Sequence, residues 1–387
     1  MPQPTSISNA GEIVEQGYRQ ANDSVIRTLT RALKRNPGVD LGDALQTALI
    51  RYPLLRRQAE ERPQKRQRKA LLKETPEDDE TNIALGPRQK LVHLPPASSS
   101  LPYKILEPLS PEICALFGLT SHFNQSNLTQ IVLERVAVGK KIWELAGRAV
   151  FDLGEGVVVK AGDDLHPDEA SSMRFLENHA PTLPAPRCMG FLTIGRRSLL
   201  FMTKIPGDTL QNRWSTLSAQ AKLGIQQSLS EAISVLRNIE KPEGQPFGSL
   251  SGRCTDTRIS DRYTDSPVHD EATFNQFLLT SSRSRVSNGY KGWIASMLRT
   301  NHRIVFTHGD FHPRNIMVVD SQDGGISLSG IIDWEASGFY PEYWEHLKAV
   351  NTRDTRDEND WWSHLPPAIV GYDQEIAVDC LLERSLV

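Results

Sequence analysis

Two apolar runs that enclose a densely polar loop constrain the fold of this chain more than any other feature. The segment IVFTHGDFHPRNIMVVD covers residues 304–320, with apolar runs at 304–306 and 316–319. The polar side chains between the runs include those of His308, Asp310, His312, Arg314 and Asn315. Buried apolar strands on both sides of a polar loop are a common way for a rigid scaffold to present reactive groups. We therefore expect this loop to carry chemistry.

A second apolar segment also ends in a carboxylate. In SLSGIIDWEASG, residues 327–338, two isoleucines lead directly to Asp333. Phosphoryl transfer requires metal ions that neutralise phosphate charge and a base that orients the attacking hydroxyl, and Mg²⁺ prefers oxygen ligands. An aspartate, an asparagine five positions later and an aspartate at the end of the next strand supply that set. The pattern predicts Asp310 as the catalytic base and Asn315 and Asp333 as Mg²⁺ ligands.

These segments resemble the motifs of a known enzyme family. HGDFHPRN resembles the catalytic loop HGDxxxxN of the aminoglycoside phosphotransferase and choline kinase families, which are relatives of the protein kinases. IIDWE resembles their metal-binding strand end, and SGFYPEYWE (337–345) resembles the fungal branch of the aminoglycoside phosphotransferase-like proteins. The resemblance covers about residues 140–350. It implies an ATP- and Mg²⁺-dependent kinase that moves the γ-phosphate to an alcohol group of a small molecule.

The first half of the resembling region implies the nucleotide contacts. VVVK is similar to the strand whose lysine, here Lys160, contacts the ATP phosphates. DEASSMRFL is similar to the helix whose glutamate, here Glu169, pairs with that lysine. LLFMTKIPGDTL is similar to the hinge strand and the turn after it. The resemblance therefore implies that backbone groups of Met202, Thr203 and Lys204 line the adenine pocket.

The order of strands and helices predicts an α+β protein. Residues 142–162 are interpreted as two strands joined by the turn FDLGEG, which is not a protein-kinase glycine-rich loop. A further strand is predicted at 196–205 and a strand–turn–strand module at 303–333. Helices are predicted at 110–119, 166–180, 216–238 and 270–299. Asp168 is the expected N-cap of the second helix. With the resemblance, this order implies a two-lobed protein-kinase-like fold, with a sheet-rich N-lobe and a mainly helical C-lobe.

Three regions are expected along the chain. Residues 1–100 are predicted to be an N-terminal extension that is partly helical and then a disordered linker. The linker is predicted because the basic run at 62–69 and the acidic run at 74–80 accompany few apolar residues that could be buried. The N-lobe is expected at 101–205, and the C-lobe with the catalytic loop at 206–387.

Charge and cysteine content limit the classes of partner and the location. The formal net charge of −3 over 387 residues gives no reason to expect nucleic acid as a partner, and no uncharged apolar run is long enough to span a membrane. The four cysteines fit neither a zinc site nor a disulfide framework, which indicates reduced thiols and a cytoplasmic protein. The run at 62–69 is interpreted as a solvated charge cluster, with a nuclear localisation signal as the alternative.

Several alternatives stay open. A pseudokinase that binds nucleotide without transfer and a protein kinase are the alternatives to a small-molecule kinase. His308 is expected to brace the loop by hydrogen bonds, whereas Arg314 could steady the loop or meet phosphate. Glu335 could bind a cationic substrate or form a salt bridge within its loop. No motif specifies the acceptor beyond a hydroxyl-bearing small molecule, because this fold hosts many acceptors.

Overall fold

The structure is a computed structural model that describes Asn22 and most of residues 101–386. Within that range the residues not described are 120–126, 146, 164, 257, 259–261, 281–285, 322–324 and 352–358. Asn22 apart, the predicted N-terminal extension of residues 1–100 lies outside the described residues, together with its linker and the basic run at 62–69.

Six antiparallel strands form the sheet of the first lobe, in the spatial order β1-β5-β6-β4-β3-β2. The strands are β1 (Tyr103–Glu107), β2 (Lys140–Leu145), β3 (Arg148–Gly154), β4 (Val157–Gly162), β5 (Cys188–Ile194) and β6 (Arg197–Thr203). Every residue of β4 is buried, as expected for a strand that begins with three valines and has neighbours on both edges.

The prediction of two strands in residues 142–162 is wrong, because this segment contributes to three strands. The chain reverses once at Gly147, where φ is +84°, and again at Gly154 and Gly156, where φ is +83° and +72°. Glycine adopts this left-handed conformation without steric cost. The sequence analysis predicted only the second of these reversals as a turn. The first one brings Arg148 to the start of β3, beside the site described below.

Three helices accompany this sheet: α1 (Pro111–Leu116), α2 (Leu128–Ala137) and α3 (Asp168–His179). The predicted helices at 110–119 and 166–180 are confirmed, and Ser110 caps the first one with its side chain. Asp168 does not cap α3, because Pro167 holds the N-cap position and Asp168 is already helical. The Asp168 carboxylate instead accepts a hydrogen bond from Ser251 Oγ at 2.9 Å.

The two faces of the sheet contribute to two separate apolar cores. Val159 and Phe201 pack with residues of α1 and α2 on one face. Val158 and Met202 lie on the opposite face, in a core that continues into the second lobe. Because strand residues alternate between faces, Lys160 shares the face of Val158 and is directed toward the second lobe.

The described part of the second lobe contains six helices and two small sheets. The helices are α4 (Leu210–Arg213), α5 (Ala219–Arg237), α6 (Glu271–Leu278), α7 (Asn288–Ala295), α8 (Trp344–Val350) and α9 (Asp373–Leu386). The strands are β7 (Asp208–Thr209), β8 (Ile304–Thr307), β9 (Ile316–Asp320), β10 (Ile326–Ile331) and β11 (Gly338–Pro341), in the orders β10-β9-β7 and β11-β8. The helix predicted at 216–238 is confirmed as α5, and the stretch 270–299 contains α6 and α7.

Helix α3 connects the lobes through packing and a hydrogen bond. Phe175 stacks on Phe306 with ring centroids 5.1 Å apart, and Ser337 Oγ lies 2.8 Å from Ser172 Oγ. The molecule thus has the predicted α+β, two-lobed, kinase-like fold, while the exact division between residues 205 and 206 stays a prediction. Among the described residues, no helix combines the length and the apolar character needed to cross a membrane.

Candidate active site

Lys160 of β4 and Glu169 of α3 form a buried ion pair. Lys160 Nζ lies 2.8 Å from Glu169 Oε2, and the two side chains are 7% and 4% exposed. Burial alone would lower the pKa of Lys160, but the surrounding carboxylates outweigh it and raise the pKa, so the ammonium stays charged. Burial raises the pKa of Glu169 to about 7, against the lowering effect of Lys160. The two residues that the resemblance paired are therefore in contact.

Asp333 follows β10 and faces the same lysine. Its Oδ1 lies 2.7 Å from Lys160 Nζ, and its backbone φ is +69°. A residue other than glycine in this left-handed region costs free energy on the order of 1 kcal/mol and persists only where its surroundings hold it. The short 3₁₀ turn Trp334–Ala336 begins directly after it. Strain of this kind is common at sites where one side chain must keep a fixed position.

Asp310 lies in the loop between β8 and β9, where two side chains hold its carboxylate. Arg314 Nη2 donates to both carboxylate oxygens at 2.7 and 2.8 Å, so this residue steadies the loop. Asn315 Nδ2 donates to Asp310 Oδ2 at 2.7 Å and to its carbonyl at 2.9 Å. Because the Asn315 amide nitrogen donates both of these hydrogen bonds, its amide oxygen, Oδ1, is the atom that can coordinate a metal ion. Ile332 N–H donates to the Asn315 carbonyl at 2.9 Å, which holds Asn315 close to Asp333.

Buried groups fix the backbone that precedes Asp310. His308 is fully buried. Its Nδ1 accepts a hydrogen bond from the Asp310 N–H at 3.2 Å, and its Nε2 lies 2.9 Å from the Ile332 carbonyl oxygen. A ring proton on Nε2 and an acceptor at Nδ1 satisfy both contacts. The Glu345 carboxylate accepts the His308 N–H at 2.6 Å and the Gly309 N–H at 3.0 Å. Burial raises the pKa of Glu345, although His308 and these N–H groups lower it. His308 therefore braces the loop, as expected.

Glu335 and Arg148 complete the charged cluster around Lys160. Arg148 Nη1 donates to Glu335 Oε1 at 2.8 Å and to Oε2 at 2.6 Å, and Lys160 Nζ lies 3.1 Å from the same Oε2. Carboxylate oxygens of Glu169, Asp333 and Glu335 all lie within 4.8 Å of one another. Glu335 is thus engaged in salt bridges, and the cluster is rich in the hard oxygen donors that Mg²⁺ prefers.

The predicted adenine contacts lie at the end of β6 and just after it. Met202 is buried in the core that spans both lobes, and Thr203 is half-buried. Lys204 directs its ammonium to Asp152 at 2.7 Å, and its backbone N–H donates to the Gly156 carbonyl at 2.7 Å. With this N–H in use, an adenine contact at Lys204 would have to use the carbonyl group.

Residues 160–362 match the model of a protein family described as the phosphotransferase enzyme family, APH. The match covers more than half of the chain and includes Lys160, Asp310, Asn315 and Asp333. The chain belongs to this family. Its resemblance to aminoglycoside phosphotransferases and its enzyme class, a phosphotransferase, are thereby confirmed.

Several solved structures of aminoglycoside phosphotransferases are similar to this phosphotransferase at low identity. A ternary complex of APH(2")-IIa with streptomycin and ATP is 16% identical, with a TM-score of 0.41, over 65% of this chain and 83% of that one. APH(4)-Ia is 15% identical, with a TM-score of 0.39, over 56% and 74%. APH(3'')-Id from Streptomyces rimosus ATCC10970 is 16% identical, with a TM-score of 0.38, over 65% and 93%. A search of curated proteins gave no match.

Sequence reasoning missed two residues of the phosphotransferase site, Arg148 and Glu345. Arg148 was hidden because the turn before it was not predicted. Glu345 lies inside SGFYPEYWE, a segment that carried the resemblance without a role for this carboxylate. The sequence signal for Glu345 was an acidic residue directly after the aromatic pair Tyr343 and Trp344, and the signal for Arg148 was the glycine at 147.

Proposed function

We propose that this phosphotransferase transfers the γ-phosphate of ATP to a hydroxyl group of a small molecule in a Mg²⁺-dependent reaction. Asp310 is the base that accepts the hydroxyl proton, and Lys160 orients the phosphates. Asn315 and Asp333 hold the metal ion. The adenine ring lies against the end of β6.

One observation carries this proposal: the fold brings residues from distant segments into a single cluster. Lys160 and Asp333 are 173 positions apart in sequence, yet their side-chain atoms lie 2.7 Å apart. The Asp310 carboxylate accepts a 2.7 Å hydrogen bond from Asn315 Nδ2. The Asn315 carbonyl in turn accepts a hydrogen bond from the backbone N–H of Ile332, the residue before Asp333. Phosphoryl transfer depends mainly on positioned charge, and this cluster supplies a cation, oxygen donors and a separate carboxylate.

The donor atoms fit Mg²⁺. Asp333 offers a carboxylate and Asn315 an amide oxygen, and both are hard ligands. When bound, Mg²⁺ neutralises the charge of the phosphates and aligns the transferred group. Lys160 keeps its buried contact with Glu169 at 2.8 Å, so the ammonium is held in place for the phosphates.

Asp310 has to exchange one partner to act as the base. Arg314 donates to both of its oxygens, so a substrate hydroxyl that uses Asp310 replaces one of these bonds. The exchange costs little, because the two side chains are 44% and 31% exposed and such pairs contribute about 0–1 kcal/mol. The buried His308 and Glu345 hold the backbone of the loop while the hydroxyl proton moves to an Asp310 oxygen.

Asp310→Asn tests the assignment. The purified chain is screened with MgATP against hydroxyl-bearing metabolites, including amino alcohols, sugars and aminoglycosides, and ADP formation is followed. The variant should lose transfer by about 10²–10⁴-fold, the usual contribution of a general base, while its affinity for MgATP is retained. Asp320→Asn is the control, because this carboxylate lies in the same module and is 76% exposed. Transfer by Asp310→Asn at the wild-type rate would contradict the role.

The contact of Arg314 Nη2 with both Asp310 oxygens favours one alternative, a nucleotide-binding protein without transfer activity. A permanent pair of this kind would keep the carboxylate from every hydroxyl. Stabilisation by MgATP in a thermal-shift assay, with no transfer to any acceptor of the panel or to a generic protein substrate, would support that alternative. Arg314→Ala should then raise transfer above zero.

A further inference from the structure

A second cation, Arg148, lies beside Lys160 on the sheet. It is the first residue of β3 and follows the turn at Gly147. Val150 pairs with Lys160 across the two strands, so Arg148, two residues before Val150, lies on the same face as Lys160. The Arg148 side chain passes over Gly162. A Cβ atom added to Gly162 would lie 3.2 Å from Arg148 Cγ, so the glycine leaves room for the arginine. The strand register thus fixes both cations on the face that meets the second lobe.

Both cations contact one oxygen atom, Glu335 Oε2. Arg148 Nη1 lies 2.6 Å from it and Lys160 Nζ lies 3.1 Å from it. A guanidinium and an ammonium that converge on one oxygen define a position for an anion, and the same donors recognise carboxylate and phosphate oxygens. The Glu335 carboxylate therefore lies where a phosphate oxygen would meet both cations.

The two ion pairs of this cluster differ in their exposure to water. The side chains of Arg148 and Glu335 are 26% and 34% exposed, whereas those of Lys160 and Glu169 are 7% and 4% exposed. Water screens an exposed pair, so its loss costs little, but removal of one partner from a buried pair leaves an uncompensated charge. An incoming phosphate can therefore replace Glu335 on Arg148, while Glu169 stays on Lys160.

We infer that Arg148 is a phosphate-binding residue of this enzyme and that Glu335 is the partner it gives up when a nucleotide binds. The inference rests on the proposed ATP-dependent function. Phosphate oxygens take the place of the Glu335 carboxylate on Arg148 and on Lys160. Arg148 thus adds a second cation to the polyphosphate side of the site, delivered by the turn between β2 and β3.

The test is equilibrium binding of MgATP and of adenosine to the full-length chain, measured by titration calorimetry. Arg148→Gln should weaken MgATP binding on the order of tenfold or more, the typical result of losing a charge-assisted hydrogen bond, and should leave adenosine binding unchanged. Glu335→Gln should bind MgATP more tightly than wild type, because the competing carboxylate charge is gone. Arg213→Gln, which removes an exposed pair with Asp320 at 2.5 Å elsewhere in the fold, is the matched control and should behave as wild type.

Three results would overturn the inference. The first is wild-type MgATP affinity in Arg148→Gln. The second is an equal loss of MgATP and adenosine binding in that variant, which would mean that the pair only braces the turn. The third is MgATP binding by Glu335→Gln that is equal to or weaker than that of wild type. If this weakening depends on Mg²⁺, Glu335 is a metal ligand. Should Arg148→Gln fail to fold, Glu335→Gln decides alone.

The binding data also separate this inference from the proposed function. Lys160→Met is expected to abolish MgATP binding. If wild type and Arg213→Gln bind MgATP, Lys160→Met does not, and Arg148→Gln binds normally, only the role of Arg148 is refuted. If the wild-type chain does not bind MgATP, the proposed function and the role of Arg148 fall together.

Discussion

Replacement of Glu345 by glutamine tests how the catalytic loop is held. The Glu345 side chain is buried, and its two oxygens accept the N–H groups of His308 and Gly309 at 2.6 and 3.0 Å. These N–H groups belong to the two residues directly before Asp310. Glutamine has nearly the same shape but offers only one oxygen, and its NH₂ group would face one of the N–H donors. The substitution therefore removes one buried hydrogen bond and sets two donors against each other.

The magnitude follows from two opposing effects. A buried donor left without an acceptor costs about 1–3 kcal/mol. Removal of a buried charge returns part of this free energy, and the raised pKa of Glu345 shows that burial of its charge is unfavourable. We therefore expect Glu345→Gln to lower the free energy of unfolding by about 1–2 kcal/mol. Glu345→Ala leaves both donors without an acceptor and should cost about 2–6 kcal/mol.

Urea unfolding followed by tryptophan fluorescence measures these differences. Glu231→Gln is the control, because Glu231 is exposed on α5 and accepts a surface hydrogen bond from Gln227 at 2.9 Å. Its effect should stay within about 0.5 kcal/mol. Transfer by Glu345→Gln should fall while MgATP affinity is kept, since the displaced residue is Asp310. If Glu345→Gln unfolds like wild type and transfers phosphate at the wild-type rate, this account of the loop is incorrect.

Three further predictions concern positions where burial or sterics decide the result. Gly309→Ala should destabilise the loop strongly, because a Cβ would lie 2.2 Å from the Ala336 carbonyl oxygen. Gly118→Ala, with φ of +66° and open space around the new Cβ, should cost only about 1 kcal/mol of backbone strain. Urea unfolding of both variants measures the difference, and equal losses of stability would contradict the prediction. Asp256→Asn should lower stability by about 3–5 kcal/mol, because its buried carboxylate pairs with Arg258, Arg262 and Lys348, whose side chains are at most 9% exposed. An unchanged Tm would speak against it. The stability of wild type relative to Glu169→Gln should fall as pH rises from 4.5 to about 7, because the folded state holds the Glu169 proton more tightly than the unfolded state in this window. Urea unfolding at several pH values measures it, and a rise over the same window would refute the assignment.

Local sequence patterns and the family resemblance together predicted part of the candidate site, whereas Arg148 and Glu345 were missed. Asn315 directly precedes β9, and Asp310 and Asp333 follow shortly after β8 and β10. Lys160, which comes after three valines, was assigned by the resemblance. Alternation and strand length are read over a few residues, so such positions are visible without the fold. The order of strands and helices predicted an α+β protein, and the resemblance implied the kinase-like architecture that the structure has.

Contacts between distant segments were not predictable in the same way. Arg148 and Glu335 are 187 positions apart, and Glu345 lies 37 positions after His308. Nothing in the composition of either segment indicates which partner the fold will supply. The predicted N-cap at Asp168 failed because Pro167 holds that position, and the Asp168 carboxylate accepts a hydrogen bond from a serine 83 positions later. Local hydrogen-bonding preference is a weak prior when tertiary partners compete for the same group.

The solvent exposure of the side chains distinguishes one fixed ion pair of the site from two pairs that can exchange partners. Lys160 and Glu169 are almost fully buried, so loss of one partner leaves a costly charge in the core. The pair between Arg148 and Glu335 and the pair between Arg314 and Asp310 are partly exposed, and each can change partners at little cost. One exchangeable pair lies at the proposed phosphate position and the other on the proposed base. Under the proposed function, each substrate would replace a carboxylate or a guanidinium that already satisfies its site. The displaced groups, Glu335 and Arg314, are partly exposed, so water would solvate their charges.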